Sequence, residues 1–207
     1  MAVIHNAELR PSKRDALAAW LPSRQWSGVT AGDPLEIAGK FRFDDPAGEV
    51  GVETVLVRRP DGRILHAPLT YRGAPLPGAE AFLVTEMDHS VLGRRWVYDA
   101  VGDPVYADVL RRTIVTGGHE AVLERADGSG TWQGEGAAVG SGSAADSPTV
   151  GTVSVRSDGT RSLVGTDHGT LSVLRVVGSD LGTPYPSGET LTGRWDGGSA
   201  VLVVLRA

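Results

Sequence analysis

The residues best suited to chemistry lie together in the segment Thr85-Glu86-Met87-Asp88-His89. In an extended strand Glu86 and Asp88 share one face, because side chains alternate with a period of two. Two carboxylates beside the imidazole of His89 could transfer protons or bind a metal ion. No spacing marks a third or fourth metal ligand, so a strand edge that runs into a turn is the simpler interpretation. The three residues stay a candidate polar site.

The tryptophans are the second source of candidate residues. Trp26, Trp132 and Trp195 lie in or near predicted turns, where an aromatic face could contact a sugar or a protein partner. Packing in the core or at a hinge is the alternative for each of these three residues. Trp20 belongs to an apolar helix face, and we expect it in the core.

Other motifs argue against specific chemistries. Gly128-Ser129-Gly130 is not followed by a Gly-Lys-Ser/Thr triplet, so it predicts a linker and no phosphate-binding loop. Asp167-His168-Gly169 predicts a hairpin turn. No serine stands in a Gly-x-Ser-x-Gly motif. We therefore predict no catalytic residue, no metal site and no cofactor.

Composition narrows the class of protein further. The 207 residues include no cysteine, which excludes disulfides and thiolate metal sites, and the net charge of -5 disfavours a nucleic-acid binder. No run approaches 18 apolar residues, the length typical of a membrane span. The first ten residues contain Glu8 and lack the pattern of a signal peptide. We expect a cytoplasmic protein that binds neither nucleic acid nor membrane.

The elements that must position these residues indicate an α+β protein. Ser12 and Asp103 are predicted N-caps of two helices, and Gly117 a helix stop. Strand patterns fill most of the remaining chain. We predict an α+β unit over residues 1–125, a Gly/Ser/Ala-rich linker over 126–148, and a smaller all-β unit over 149–207 that docks on the first.

Three segments together resemble a known family. They are Ala19-Trp20-Leu21-Pro22-Ser23-Arg24-Gln25-Trp26, Pro68-Leu69-Thr70-Tyr71-Arg72-Gly73, and Gly93-Arg94-Arg95-Trp96-Val97-Tyr98-Asp99-Ala100-Val101-Gly102-Asp103-Pro104. In this order they resemble the N-terminal cap domain of bacterial maltokinases, over roughly residues 1 to 117. The tail from Thr149 is similar to free-standing, actinobacterial cap-like proteins. The resemblance implies a cystatin-like fold, in which a helix packs on a curved antiparallel sheet.

The same resemblance implies a role. In maltokinases the cap adjoins a two-lobed kinase that phosphorylates maltose with ATP for α-glucan synthesis, and the cap supplies no phosphoryl-transfer residue. We expect no kinase lobes here, since Lys13 and Lys40 are the only lysines and neither lies where a kinase needs one. A glucan-branching barrel of about 250 residues does not fit either. We favour a protein without enzymatic activity, and an enzyme stays the open alternative.

Two functions follow from this interpretation. The first is a non-catalytic, stand-alone cap-like protein that contacts a sugar kinase or an α-glucan enzyme in sugar-phosphate or α-glucan (maltose, trehalose or glycogen) metabolism. The second is a carbohydrate-binding module that holds a sugar ligand with the turn tryptophans.

Overall fold

The computed structural model describes residues 2–4, 7–125, 130–132, 134–177 and 187–206. It contains the helices α1 (Lys13–Trp20) and α2 (Pro104–Thr116). Ser12 caps α1 by accepting the backbone N–H of Asp15, and Asp103 caps α2 by accepting that of Val105. Gly117 ends α2 with a φ of 66°, a conformation that glycine adopts at low cost. Both predicted helices are confirmed. In the described ranges no helix is long and apolar enough to cross a membrane.

Strands make up most of the described chain. In chain order they are β1 (Ala2–Ile4), β2 (Leu9–Arg10), β3 (Glu36–Phe43), β4 (Gly51–Arg58), β5 (Ile64–Arg72), β6 (Leu83–His89), β7 (Gly93–Asp99), β8 (Leu123–Arg125), β9 (Thr131–Trp132), β10 (Gly136–Gly140), β11 (Val153–Asp158), β12 (Arg161–Thr166), β13 (Gly169–Leu174), β14 (Val176–Val177), β15 (Glu189–Trp195) and β16 (Gly198–Arg206). The predicted turn at Asp167 and His168 joins β12 to β13.

These strands form two large antiparallel sheets and one small sheet. The first has the order β2-β6-β7-β5-β4-β3, with β14 paired to β5, and it curls into a half-barrel. The second has the order β10-β15-β16-β13-β12-β11. In the small sheet β8 lies between β1, its parallel partner, and β9. Curved sheet and helices together agree with the α+β class, while likeness to cystatin stays a proposal.

Helix α1 covers one face of the first sheet. Its buried residues Leu17 and Trp20 belong to an apolar cluster with the residues of β4, β5, β6 and β7 that point to the same side, namely Val55, Val57, Leu65, Ala67, Leu69, Met87 and Val97. Trp20 is 6% exposed, so its predicted place in the core is confirmed. The helix has eight residues, too few to be stable alone. Its packing on the sheet therefore stabilises it.

A buried carboxylate fixes the start of α1 to the sheet. Glu53 on β4 is 4% exposed, and its Oε2 lies 2.6 Å from Lys13 Nζ and accepts the Tyr71 hydroxyl at 2.8 Å. Arg42 Nε lies 3.5 Å from the other carboxylate oxygen. Burial by itself would raise the pKa of Glu53, but the charges of Lys13 and Arg42 and the hydrogen bonds lower it to about 2. Glu53 is therefore charged at neutral pH.

The opposite face of the first sheet packs against α2 and the second sheet. One apolar cluster contains residues from all three: Phe41, Val52 and Leu56 from the first sheet, Leu110 and Ile114 from α2, and Val164, Leu171, Leu191 and Val203 from the second sheet. Strand β14 follows β13 of the second sheet directly and pairs with β5 of the first, Val176 opposite Leu65. The two sheets thus share apolar core residues and a strand connection.

Strand β10 lies in the Gly/Ser/Ala-rich stretch 126–148, which the sequence predicted as a linker. It pairs with β15 and passes so close to α2 that a Cβ at Gly140 would collide with the carbonyl of Thr113. Gly142 approaches the carbonyl of Val115 in the same way. Glycine therefore permits β10 to pack closely against α2, although the composition of this stretch suggests a linker. Residues 126–129 and 133 of the predicted linker lie outside the described residues, and the division into three parts stays a prediction.

We expect Trp20→Ala to lower the free energy of unfolding by about 3–5 kcal/mol, because it removes the largest side chain of α1 from the core. Trp20→Phe keeps an apolar ring at this position and should lose much less. Denaturant melts of both variants measure the difference. A loss below about 1 kcal/mol for Trp20→Ala would contradict the packing of α1 on the sheet.

The Glu53 network should make stability depend on acid pH. The pKa of Glu53 falls from its ordinary value of 4.5 to about 2 on folding, so its contribution is complete above pH 4.5 and is lost as the pH falls toward 2. At about 1.4 kcal/mol per pKa unit this is roughly 3 kcal/mol.

Chemical denaturation between pH 6 and 2 should therefore show a flatter acid slope for Glu53→Gln than for the unchanged protein. Glu49→Gln, at an exposed carboxylate, is the matched control and should keep the original slope. Equal slopes for Glu53→Gln and Glu49→Gln would refute the role of the network.

Candidate functional site

The predicted polar site lies on the β6–β7 hairpin. Glu86 and Asp88 are exposed on one face of β6, and Glu86 lies 3.3 Å from Arg94 on β7. His89 ends the strand, and its Nδ1 accepts the backbone N–H groups of the following turn at 3.2 and 3.1 Å. In the described part of the chain no group of three or more His, Asp or Glu residues could hold a metal ion. The chemical role of this trio stays a prediction.

The predicted ligand-binding tryptophans lie on separate elements. Trp26 is half-buried, with its ring 5.8 Å from that of Trp20, edge to face. Trp195 is half-buried at the end of β15, where its side chain lies across Gly198 and against Gly39 of β3. Trp132 lies in β9, and its side chain is outside the described part of the structure. Trp26 and Trp195 therefore sit in different surroundings, and sugar binding by these residues stays a prediction.

A buried ion pair lies where the two sheets meet. Arg175, between β13 and β14, is 1% exposed, and its Nη2 lies 2.9 and 2.7 Å from the two carboxylate oxygens of Asp99 at the end of β7. Its Nε donates to the hydroxyl of Ser162 on β12 at 2.8 Å. The guanidinium carbon is 4.9 Å from the centre of the Trp26 ring, within the range of a cation–π contact. One side chain thus joins both sheets and the loop that carries Trp26.

The backbone of Arg175 and two buried neighbours complete this cluster. Its carbonyl accepts the N–H of His66, and His66 Nδ1 donates to the Leu174 carbonyl at 3.0 Å. Burial, followed by the charge of Arg175, lowers the pKa of His66 to about 3. Burial also raises the pKa of Tyr106 well above its ordinary value. Both groups are therefore neutral near pH 7 and unsuited to proton transfer there.

The sequence contains one signal for the ion pair, although Arg175 is not among the predicted site residues. Leu171, Val173, Arg175 and Val177 occupy alternate positions, and residues 171–177 are all buried. A charge that continues an aliphatic alternation needs an acidic partner inside the fold. Local patterns do not name that partner, because Asp99 is 76 residues away along the chain.

A groove beside α2 combines apolar and charged side chains. We call it the α2 groove; it measures about 350 Å³ and is lined by Phe43, Asp44, Val109, Arg112, Thr113, His119, Glu120, Ala121 and Val122. Phe43, Val109 and Thr113 are buried, whereas Val122 is 49% exposed. The segment 119–122 is held in place because Ala121 N–H donates to the Arg42 carbonyl at 2.8 Å and Glu120 Oε2 accepts Ala138 N–H at 2.9 Å.

Acidic groups outnumber basic ones around the α2 groove. Asp44 and Glu120 line it, and Arg112 contacts two further carboxylates, Asp108 at 3.8 Å and Asp146 at 3.3 Å. Among the lining residues and these two partners, four carboxylates therefore stand beside one guanidinium. Arg112 Nε is also buried without a hydrogen-bond partner in the described residues. The groove thus combines an apolar floor with acidic side chains at its rim.

Removing one member of the Arg175–Asp99 pair should destabilise the fold strongly. We expect Arg175→Met or Asp99→Asn to cost about 3–5 kcal/mol, since each leaves the other member buried without its full partner. The double variant Arg175→Met/Asp99→Leu should cost less than the sum of the single changes. Arg94→Met breaks an exposed pair and should cost at most about 1 kcal/mol. Denaturant melts that find additive costs for Arg175 and Asp99 would contradict the coupling.

One family model matches part of the chain. Residues 20–103 match the family model of the maltokinase N-terminal cap domain. The match begins at the last residue of α1, includes β3 to β7, and ends at the N-cap of α2. No curated protein matches the chain. The resemblance is thereby confirmed for these residues: segment 20–103 is similar to the N-terminal cap domain of maltokinases.

Proposed function

We propose that this protein is a non-catalytic, stand-alone cap-like protein that acts through protein–protein contact. Its partner is a sugar kinase or an α-glucan enzyme, and its setting is cytoplasmic sugar-phosphate or α-glucan metabolism. The observation that carries the proposal is the match of residues 20–103 to the maltokinase N-terminal cap domain. A cap domain is named for its place beside a larger enzyme, so contact is the role that transfers most directly.

The charged groups inside the fold support this proposal because they hold elements together. Glu53 fixes α1 to the first sheet, and Arg175 joins the first sheet to the second. Arg72 donates two hydrogen bonds to Asp103, at 2.7 and 2.6 Å, which raises the pKa of Arg72 and holds the N-cap of α2. Each group has a structural task that accounts for its burial.

The exposed aliphatic side chains support contact with another protein. Val91 and Leu92 at the tip of the β6–β7 hairpin are 55% and 46% exposed, and Val122 at the α2 groove is 49% exposed. Covering such side chains with a partner is favourable by about 25 cal/mol for each Å² of apolar surface that is buried.

The alternative is carbohydrate binding through the turn tryptophans. Trp26 and Trp195 are each only half-buried, so part of each residue is accessible to a ligand. Trp26, however, already contacts Trp20 and Arg175, which occupy part of its ring surface. Partner contact therefore has the stronger support.

Binding measurements separate these two functions. We expect the full chain to form a saturable complex with a purified bacterial maltokinase in calorimetry, and no complex with a sugar kinase of unrelated fold. Maltose and glycogen should leave the tryptophan fluorescence unchanged up to millimolar sugar. A fluorescence shift with sugar, together with no kinase complex, would favour the carbohydrate-binding alternative and overturn the proposal.

A further inference from the structure

We infer that His66 makes the junction of the two sheets sensitive to acid: uptake of a proton by its imidazole releases strand β14 from β5. The segment that is released comprises residues 174–177, which we call the strap. This inference does not depend on the proposed function. It follows from how the strap is attached to β5 and from the groups that surround the imidazole.

The strap continues the edge of the first sheet. Strand β7 pairs with β5 over Leu69–Arg72, and β14 pairs with β5 further along, at Ile64 and Leu65. Two residue pairs therefore join β14 to β5. Val176 and Val177 are buried, which keeps the strap bound at neutral pH. A segment with so few backbone contacts can open at a lower free energy than the whole fold does.

His66 binds the strap through two hydrogen bonds. Its backbone N–H donates to the Arg175 carbonyl at 2.9 Å, and its Nδ1 donates to the Leu174 carbonyl at 3.0 Å. Because the partner of Nδ1 is a carbonyl oxygen, Nδ1 carries the hydrogen of the neutral ring. An added proton must therefore go to Nε2, which is buried. Since His66 is 0% exposed, its surroundings must open before a proton reaches that atom.

The charged and titratable groups of this cluster come from three elements. They are Arg175 in the strap, Asp99 at the end of β7 and Tyr106 on α2, while β4 contributes the apolar Leu56 and β16 the backbone of Leu202. Both carboxylate oxygens of Asp99 bind Arg175. Burial raises the pKa of Tyr106, so its hydroxyl is uncharged. Arg175 therefore brings the positive charge that lies beside the imidazole.

These surroundings disfavour a protonated His66. Burial, followed by the charge of Arg175, lowers its pKa from 6.5 to about 3. The backbone carbonyls of Leu174 and Leu202 favour the protonated ring and offset only part of this decrease. A proton on the ring is thus compatible with the released strap, where water can hydrate the charge.

Acid should therefore shift the strap toward its released state. Above pH 6.5 the ring is neutral in both states, so the attachment of the strap does not depend on pH. Between pH 6.5 and 3 only the released state binds the proton, and each pH unit downward should favour release about tenfold. The Glu53 network contributes between pH 4.5 and 2, so the range from 6.5 to 4.5 isolates the effect of His66.

Hydrogen exchange measures the release of the strap. The backbone N–H of His66 is bound to the strap and exchanges when the strap opens. We expect its protection factor, corrected for the intrinsic exchange rate, to fall about tenfold per pH unit from pH 6 to 4.5. It should also be at least tenfold below the protection factors of the amides that pair β3 with β4. Equal protection at both places would show that only global unfolding releases the strap, and would overturn the inference.

Two histidine variants identify the group that takes up the proton. His66→Asn removes the titratable ring and keeps a side-chain N–H that can take the place of Nδ1–H, so the protection factor at position 66 should become constant between pH 6 and 4.5. His119→Gln changes an exposed histidine and should keep the tenfold decrease per unit. A decrease that persists in His66→Asn would assign the proton to another group, such as Asp99, and the inference would be wrong.

An NMR titration of the unchanged protein tests the same inference without a variant. We expect the imidazole signals of folded His66 to stay at the positions of the neutral Nδ1–H ring from pH 8 to 5. If these signals instead titrate near pH 6.5 while the protein remains folded, the ring accepts its proton with the strap in place. Acid would then have no reason to release β14.

Discussion

The contact between Arg175 and Asp99 is the constraint on which the arrangement of the two sheets depends. A guanidinium that is 1% exposed needs partners inside the protein, because the loss of its hydration must be offset. It finds them on β7 and β12, beside the Trp26 ring, while its backbone bonds to His66 and Thr160. Directly after Arg175 the chain passes from β13 of the second sheet to β14, which pairs with β5 of the first. A shared apolar core then forms around the junction.

An ion pair with a buried carboxylate also fixes the position of each helix. Glu53 and Lys13 set the position of α1, and Arg72 and Asp103 set that of α2. Each pair includes a buried carboxylate, so its geometry is specific where apolar packing alone would tolerate sliding. These buried ion pairs therefore fix the positions of the elements that they join. At the surface, the α2 groove combines apolar and acidic groups.

The groove and the cap match belong to overlapping parts of the protein. Phe43 and Asp44 lie within the matched residues 20–103, whereas α2 and residues 119–122 follow them. The groove thus forms only when α2 packs against the first sheet. A partner that binds there would contact both the matched segment and the elements beyond it. This dependence on packing explains why no short motif marks the groove.

The sequence by itself determined the local elements and the family resemblance. Ser12, Asp103 and Gly117 act within one turn of the chain, so the ends of both helices follow from neighbouring residues. The position of Trp20 on the apolar face of α1 likewise predicted its burial, and the segments within 20–103 carried the resemblance to the cap.

Tertiary structure alone decided the rest. Strand β10 forms because α2 and β15 accept a glycine-rich chain at close range, which composition cannot show. The partner of Arg175 and the lining of the α2 groove depend on residues 76 or more positions apart, from Asp99 to Arg175 and from Phe43 to Val122. Such contacts arise from the packing of whole elements, so the spacing of neighbouring residues in the sequence cannot predict them.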